Sequence, residues 1–175
     1  MTRVVVTGGS GKAGRACVRD LLAHGYEVAS VDLLPPAEPL CPFSRVDLTD
    51  FGLAAIRAPG LYPNAVTFAA NTVSTYNVFE AARRLGVTDI VWASSETVLG
   101  LPFDTPPPYA PVDEACPARP ESAYSLSKLL GEEMAKQFCR WDPRLKIVGL
   151  RLSNVMEPDD YARFPGFDAE ARLRK

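Results

Sequence analysis

Two side chains in the second half of the sequence could exchange a proton with a substrate hydroxyl. Tyr124 and Lys128 are four residues apart in a segment with a helical pattern, so they lie on the same face of one helix. A free tyrosine has a pKa of about 10, and a neighbouring ammonium is expected to lower this pKa by stabilising the phenolate. Tyr124 is therefore predicted to be a general acid/base in an alcohol–carbonyl interconversion. The alternative is an amphipathic helix with a solvated lysine, because this spacing is common by chance.

A serine that could orient the reacting oxygen lies at the end of a predicted strand. Residues 89–93 have the pattern of a buried strand, and the polar run 94–100 follows it. The hydroxyl of Ser95 can there donate a hydrogen bond to the reacting oxygen. Residues 101–120 are too rich in proline for a helix, and a long loop between two polar motifs is usually functional.

A glycine-rich turn near the N-terminus has the context of a dinucleotide-binding site. The β-branched run 4–6 precedes residues 7–14, and a helical pattern begins near Lys12. Glycines let the backbone turn tightly and approach a pyrophosphate, which then lies on the positive N-terminus of the helix. This context favours nucleotide binding over a turn that serves only helix–strand packing. Cofactor contacts are predicted at Gly8, Gly11, Lys12, Ala13 and Gly14, with the side chain of Lys12 interpreted as solvated.

Two acids follow the next strands of the predicted sheet. Asp32 ends the second strand (residues 27–31), where a carboxylate can accept hydrogen bonds from both ribose hydroxyls of NAD and would repel the 2′-phosphate of NADP. The sequence therefore predicts NAD rather than NADP. Asp47 follows a short third strand at residues 43–46 and is expected to accept a hydrogen bond from the adenine amine. Asp50, in the same turn, fits a helix cap almost equally well.

The chain is too short around residue 50 for one unit of such a sheet. A crossover with its helix takes roughly ten residues or more, yet only residues 51–53 separate Asp50 from Ala54. The predicted fold is an α/β, Rossmann-like doubly wound parallel sheet that lacks a crossover helix and strand four near residue 50. The alternative is that residues are absent from the sequence at positions 50/51. A sheet without that strand would expose an apolar edge, which is an aggregation hazard.

Composition excludes several classes of partner. A chain of 175 residues with 47% hydrophobic residues is typical of one globular domain. The net charge of −2 gives no electrostatic case for nucleic acid or an anionic membrane, and no apolar run approaches the roughly 20 residues that span a bilayer. Four cysteines without Cys-x-x-Cys spacing and a start without signal-peptide features favour reduced thiols and the cytoplasm. His24 is the only histidine, so a multi-His metal site is excluded, and no metal is predicted.

These motifs together resemble the extended short-chain dehydrogenases/reductases of the NAD-dependent epimerase/dehydratase family. The matches run in family order: Thr7-Gly8-x-x-Gly11-x-x-Gly14, Asp32, Asp47-Leu48-Thr49-Asp50, Leu53-Ala54-Ala55, Asn71-x-x-Ser74-Thr75, Ser94-Ser95, Tyr124-x-x-x-Lys128 and Arg151-Leu152-Ser153-Asn154. The resemblance implies a catalytic trio of Ser95, Tyr124 and Lys128, supported by Asn71 beside the cofactor. Further cofactor contacts are expected at Leu48, Leu53, Ala54, Ala55, Asn71, Tyr124 and Lys128, and substrate contacts at Ser95, Glu96, Thr97 and Asn154.

The sequence also departs from the family pattern. Gly52 stands where a histidine is usual, Leu99 where a tyrosine is usual, and Ala13 where a larger aliphatic residue is usual. Family chains continue well beyond Asn154. The resemblance therefore divides the chain into an NAD(P)-binding Rossmann-like domain at 1–154 and the start of a C-terminal substrate-binding region at 155–175. We expect these 175 residues to be marginally stable and weak or inactive in turnover.

Two functions are consistent with the sequence. The first is an NAD-dependent oxidoreductase or epimerase that transfers a hydride at a hydroxyl or carbonyl of a sugar or nucleotide-sugar, a small-molecule substrate. The second is a nucleotide-binding fragment without catalysis, or a redox-sensing module. Such a sensor is expected to lose the tyrosine–lysine pair, so the presence of Tyr124 and Lys128 favours the enzyme. The resemblance further implies a homodimer through a four-helix bundle of the helices at 64–85 and 122–140.

Overall fold

Strands and helices alternate along most of the described chain, as expected of a Rossmann-like α/β sheet, and only the second and third strands follow each other without a helix between them. The computed structural model describes residues 2–48, 63–101 and 105–161. Each helix and strand named in the sequence analysis is present in those residues, with ends within two residues of the prediction. The strands are β1 (Arg3–Thr7), β2 (Glu27–Asp32), β3 (Phe43–Arg45), β4 (Asp89–Ser95) and β5 (Lys146–Leu152); the helices are α1 (Lys12–Ala23), α2 (Asn64–Arg84) and α3 (Ala123–Trp141), with a 3-10 helix at Glu96–Leu99.

All strand pairs are parallel, which confirms the α/β, Rossmann-like fold class. One sheet has the order β1-β2-β3 and the other consists of β4 and β5. Among the described residues, β1 and β4 thus belong to separate sheets. The predicted absence of a crossover helix and a fourth strand concerns residues 49–62, which lie outside the described part of the chain. Asp50, Leu53, Ala54 and Ala55 fall there as well.

The turn between β1 and α1 requires glycine at two positions for different reasons. Gly8 has a φ of 71°, a left-handed conformation that L side chains rarely adopt. A Cβ on Gly14 would lie only 2.1 Å from the carbonyl oxygen of Gly8. Helix α1 therefore packs directly on the turn.

The best-defined core lies between α2, α3 and the β4–β5 sheet. Phe79 of α2 makes edge-to-face contacts with Phe138 of α3 and Trp92 of β4, at centroid distances of 5.8 and 6.1 Å. Ala135 and Leu145 complete the buried cluster. Such aromatic contacts add to the stability from burial alone. The cluster fixes α3, which carries Tyr124 and Lys128, against the strand that ends in Ser95.

The face that α2 buries is not its most hydrophobic one. Val66, Val73 and Leu85 are exposed, and the helix instead buries mostly small or polar residues. They are Thr67, Ala70, Asn71, Ser74, Thr75, Phe79 and Glu80. Small side chains allow α2 and α3 to approach closely, so the contact face of α2 was not the most hydrophobic one.

The prediction that β4 is a strand of buried type is also wrong for one of its two faces. Trp92 is buried, but its neighbour Val91 is 72% exposed, and Val148 of β5 is exposed on the paired strand. Successive side chains of a strand point to opposite faces. Helices α2 and α3 cover one face, and within the described residues the other face is not covered to the same degree.

Local features of the chain follow the sequence analysis closely. All four cysteines are unpaired. His24 is the exposed C-cap of α1, and its Nδ1 lies 2.8 Å from the carbonyl oxygen of Asp20. No helix in the parts of the chain that the structure describes has the length and hydropathy needed to cross a membrane.

Candidate functional site

Helix α3 begins at a capping box that places Tyr124 in its first turn. The Ser122 hydroxyl accepts a hydrogen bond from the backbone N–H of Ser125 at 3.0 Å, and the Ser125 hydroxyl accepts one from the N–H of Ser122 at 2.9 Å. Both bonds satisfy N–H groups that the helix leaves without a partner. The start of α3 is therefore fixed by its own sequence, and Lys128 follows Tyr124 by one turn.

Ser95 is the last residue of β4, and Thr97 holds its hydroxyl. The Ser95 Oγ accepts hydrogen bonds from the backbone N–H of Thr97 at 3.3 Å and from its Oγ1 at 3.0 Å. A serine hydroxyl has two acceptor positions and one proton to donate. With both acceptor positions engaged, the Ser95 hydroxyl has only its proton left to offer a further partner.

Lys128 is buried below the tyrosine, with only 3% of its surface exposed. Its Nζ donates a hydrogen bond of 2.8 Å to the carbonyl oxygen of Ala93. The same Nζ lies 5.2 Å from the ring centroid of Trp92 and 5.6 Å from that of Tyr124. Burial lowers the pKa of Lys128 to about 8, because the charged form loses its hydration. Aromatic faces partly replace that hydration for an ammonium.

The structure corrects the predicted effect of Lys128 on Tyr124. Burial raises the pKa of Tyr124, and the Ser95 side chain lowers it only in part. In this structure Tyr124 therefore retains its proton at neutral pH.

Asn71 is joined to the same turn of α3. Its side chain is 2% exposed, and its Nδ2 donates to the Ser127 hydroxyl at 3.3 Å. Ser127 in turn donates to the carbonyl oxygen of Tyr124 at 2.6 Å. The structure thus brings Asn71 of α2 together with Tyr124 and Lys128 of α3, although 53 residues separate Asn71 from Tyr124 in sequence.

The glycine turn and Asp32 fit a dinucleotide. The N-terminus of α1 has no capping side chain and no acid in its first turn, so its N–H groups face the turn as an anion site would require. Asp32 accepts hydrogen bonds from the N–H of Ser10 at 2.9 Å and of Leu33 at 2.7 Å, one on each oxygen. A carboxylate has about four acceptor positions. Asp32 is therefore oriented by the backbone and can still accept ribose hydroxyls.

The predicted adenine contacts lie on the turn after β3. Leu48 accepts a hydrogen bond of 3.1 Å on its carbonyl oxygen from the Nδ2 of Asn77, which ties the turn to α2. Asp47, beside it, is partly buried. Leu53, Ala54 and Ala55, the other expected contacts here, lie outside the described residues.

The side chain of Lys12 is exposed, as the sequence suggested, but it also forms an ion pair. Its ammonium pairs with the carboxylate of Asp160, while Arg15, one turn further along α1, pairs with Glu157. Arg15 also donates to the carbonyl oxygen of Ser10 at 2.6 Å. No sequence signal indicated these pairs, because 148 residues separate Lys12 from Asp160 and 142 separate Arg15 from Glu157.

The predicted substrate residues lie around the carboxyl end of the β4–β5 sheet. Ser95 pairs in register with Leu152, so Asn154, two residues further on, leaves the sheet at the same edge and is exposed. Glu96 begins the 3-10 helix and is partly exposed, whereas Thr97 is engaged with Ser95. Open α/β sheets bind ligands at this edge.

Sequence analysis did not identify Glu132, which links the helix and the strands that carry the site residues. Its carboxylate accepts a bond of 2.6 Å from the Ser94 hydroxyl and two from the Arg151 guanidinium at 3.0 and 2.9 Å. Burial by itself would raise the pKa of Glu132, but the bonds from Arg151 and Ser94 lower it overall. Its position four residues after Lys128, on the same helix face, was the available signal. Glu132 thus connects α3 both to β4, the strand that ends in Ser95, and to the paired strand β5.

A parallel α/β fold with a serine at the end of β4, and a tyrosine and a lysine four residues apart on α3, is typical of the extended short-chain dehydrogenases/reductases. The chain belongs to the NAD dependent epimerase/dehydratase family, whose family model matches residues 4–174.

Named relatives and solved structures agree with this assignment. UDP-glucose 4-epimerase 2 from Oryza sativa is 29% identical over 86% of this chain and 44% of its own length. Uronate dehydrogenase from Pseudomonas syringae is 28% identical over 90% of this chain and 62% of its own. The structure of Thermus thermophilus UDP-glucose 4-epimerase with NAD is 32% identical, with a TM-score of 0.74 over 86% of this chain and 54% of that one. The chain thus spans about half the length of the relatives that it matches.

Proposed function

We propose that this chain is the cofactor-binding portion of an NAD-dependent oxidoreductase or epimerase that acts on a hydroxyl or carbonyl of a sugar or nucleotide-sugar. The observation that carries the proposal is the convergence of Ser95, Tyr124 and Lys128 at the carboxyl end of β4. The substrate class is supported by relatives whose names include UDP-glucose 4-epimerase and uronate dehydrogenase.

Tyr124 moves the proton in the proposed reaction. Because burial raises its pKa, the protonated hydroxyl is ready to donate to a carbonyl oxygen when a substrate is reduced. In the opposite direction Tyr124 must first lose its proton to accept one from a substrate hydroxyl, so oxidation is favoured by higher pH. Ser95, held by Thr97 as a donor, stabilises negative charge on the reacting oxygen.

The cofactor site uses residues from both sheets. NAD, when bound, supplies or accepts the hydride. The glycine turn holds the pyrophosphate, and Asp32 receives the ribose hydroxyls, which is the basis for proposing NAD over NADP. Lys128 and Asn71 hold the reacting end of the cofactor beside Tyr124. We assign cofactor binding to residues 1–154 and the beginning of a substrate-binding region to 155–175.

Tyr124→Phe separates catalysis from cofactor binding. NAD affinity is measured by calorimetric titration. Turnover is measured with a panel of sugars and nucleotide-sugars, by NADH formation for oxidation and by the appearance of the epimeric sugar for epimerisation, which yields no net NADH. The variant should lose about 10²- to 10⁴-fold in turnover, the usual contribution of a general acid/base. Its Kd for NAD should change less than about threefold, equivalent to ~0.7 kcal/mol.

Tyr26→Phe is the matched control, because Tyr26 lies in the turn between α1 and β2, away from the strand ends that carry the proposed site. It should change neither quantity. Binding of NAD by the wild type would favour the nucleotide-binding module if no sugar is oxidised or epimerised even at protein concentrations high enough to detect the weak turnover expected of these 175 residues. Failure to bind NAD would contradict both functions.

We further propose a homodimer in the cytoplasm. Support for the dimer comes from exposed apolar side chains on the paired helices α2 and α3, namely Val66, Val73, Tyr76 and Leu126. Support for a reducing compartment comes from the four unpaired cysteines.

A further inference from the structure

Two cations of α1 beside the glycine turn are paired with acids from the far end of the described chain. The Nζ of Lys12 contacts the Oδ2 of Asp160, and the Nη2 of Arg15 contacts the Oε1 of Glu157. Each pair has one side chain that is partly shielded from water, namely Asp160 at 15% exposed and Arg15 at 29% exposed. Both pairs are therefore less screened than isolated ion pairs on an open surface.

The acidic segment that supplies Glu157 and Asp160 is held in shape by its own backbone. The N–H of Glu157 donates to the Oδ2 of Asp160 at 3.0 Å, and the N–H of Asp160 donates to the carbonyl oxygen of Glu157 at 2.9 Å. The Oδ2 of Asp160 thus receives both a backbone N–H and the ammonium of Lys12. The segment presents its two acids to α1 in a defined geometry.

These pairs connect to the acid that faces the adenosine ribose. Arg15 donates from Nη1 to the carbonyl oxygen of Ser10, and the N–H of Ser10 donates to Asp32. Two cations, Lys12 and Arg15, therefore face three carboxylates around the turn. The net charge of this group is −1 at neutral pH, whereas without Glu157 and Asp160 it would be +1.

We propose that Glu157 and Asp160 are cofactor-specificity residues that hold Lys12 and Arg15 away from the 2′-phosphate of NADP. The inference rests on the proposed use of NAD. A 2′-phosphate carries up to two negative charges and is attracted by a nearby arginine or lysine in NADP-binding sites. The carboxylate of Asp32 by itself already repels this phosphate. The acidic segment adds to the discrimination by neutralising the two cations that could otherwise compensate for Asp32.

The test compares the Kd values for NAD and NADP in the wild type and in the double variant Glu157→Gln, Asp160→Asn. We expect the affinity for NADP to rise about tenfold, as the loss of two partly exposed ion pairs would allow, and that for NAD to change less than about threefold. Adding Lys12→Gln to the double variant should remove most of the gain. High salt should reduce the difference between the double variant and the wild type, because the effect is electrostatic.

Glu27→Gln is the matched control, since Glu27 pairs with Arg3 at the N-terminal ends of β1 and β2, opposite to the glycine turn. It should leave the ratio of the two Kd values unchanged. The proposal would be overturned if the double variant unfolds at the same urea concentration as the wild type but keeps the wild-type ratio of the Kd for NAD to the Kd for NADP. An equal rise for NAD and NADP would also overturn it, because the acids would then act on the shared part of the two cofactors. A wild type that binds neither cofactor would instead refute the proposed function, and this inference with it.

Discussion

Lys128 shows how a single buried charge serves the site at a cost to folding. Its ammonium retains one hydrogen bond, to Ala93, and two aromatic faces, from Trp92 and Tyr124. These contacts do not replace the water it loses, so its pKa falls to about 8. The charged form of Lys128, which is placed to position a cofactor and a proton donor, therefore destabilises the folded state.

The free energy of unfolding should accordingly rise with pH. Below pH 8, Lys128 is protonated in both states, and the native state carries the full burial penalty. Between about pH 8 and pH 10.5 the unfolded chain binds more protons, so the native state gains roughly 3 kcal/mol. Urea unfolding at several pH values should show this gain in the wild type and not in Lys128→Met.

Lys136→Met provides the control, because Lys136 is exposed and pairs only at the surface with Glu133. It should retain the wild-type pH slope. Parallel curves for wild type and Lys128→Met would show that Lys128 is not the source of the pH dependence.

At the scale of elements, the distance between α3 and β4 is set by one aromatic ring and one glycine. An ideal Cβ on Gly131 would lie 2.5 Å from Cζ2 and Cη2 of Trp92. The ring therefore occupies the space that a side chain on α3 would need. Because Lys128 is one turn before Gly131, this contact also determines how deeply the ammonium is buried.

Gly131→Ala should destabilise the chain by about 1–3 kcal/mol, as overpacking of a core usually does. Gly149→Ala is the matched control, because its Cβ would meet the opposite edge of the same Trp92 ring at 3.5 Å, an ordinary contact. Urea unfolding should show a small effect for Gly149→Ala. Equal effects of the two variants would contradict the assigned role of the Gly131 contact.

At the scale of the molecule, α2 and α3 bury one side of the β4–β5 sheet and leave apolar side chains on their own outer surface. A contiguous apolar surface on paired helices commonly marks an interface. If α2 and α3 form the proposed homodimer, light scattering after gel filtration should give twice the mass of 19.0 kDa. Val73→Asp should then give a monomer, because a carboxylate would be buried without a partner.

Leu22→Asp changes a comparable exposed residue on α1 and should remain a dimer. A wild type that is monomeric at every concentration tested would refute the dimer without affecting the assignment of the family.

The sequence determined the elements and the local devices that begin and end them. Patterning predicted the strands at 27–31, 43–46 and 89–93 and the helices at 64–85 and 122–140, all of which the described residues contain, and glycine chemistry predicted the turn at residues 7–14. The spacing of Tyr124 and Lys128 correctly placed both on one helix. These features depend on residues within a few positions of each other, so a linear pattern contains the necessary information.

Only the tertiary structure decided which groups meet and in what state of charge. The pairs of Lys12 with Asp160 and of Glu132 with Arg151 join segments that are distant in sequence. The pKa of Tyr124 is raised rather than lowered, because the burial of its side chain outweighs the lowering that Ser95 contributes. Likewise, the buried face of α2 is the one that fits α3 and not the most hydrophobic one. Desolvation and close packing depend on everything that surrounds a side chain, and a local pattern cannot contain that information.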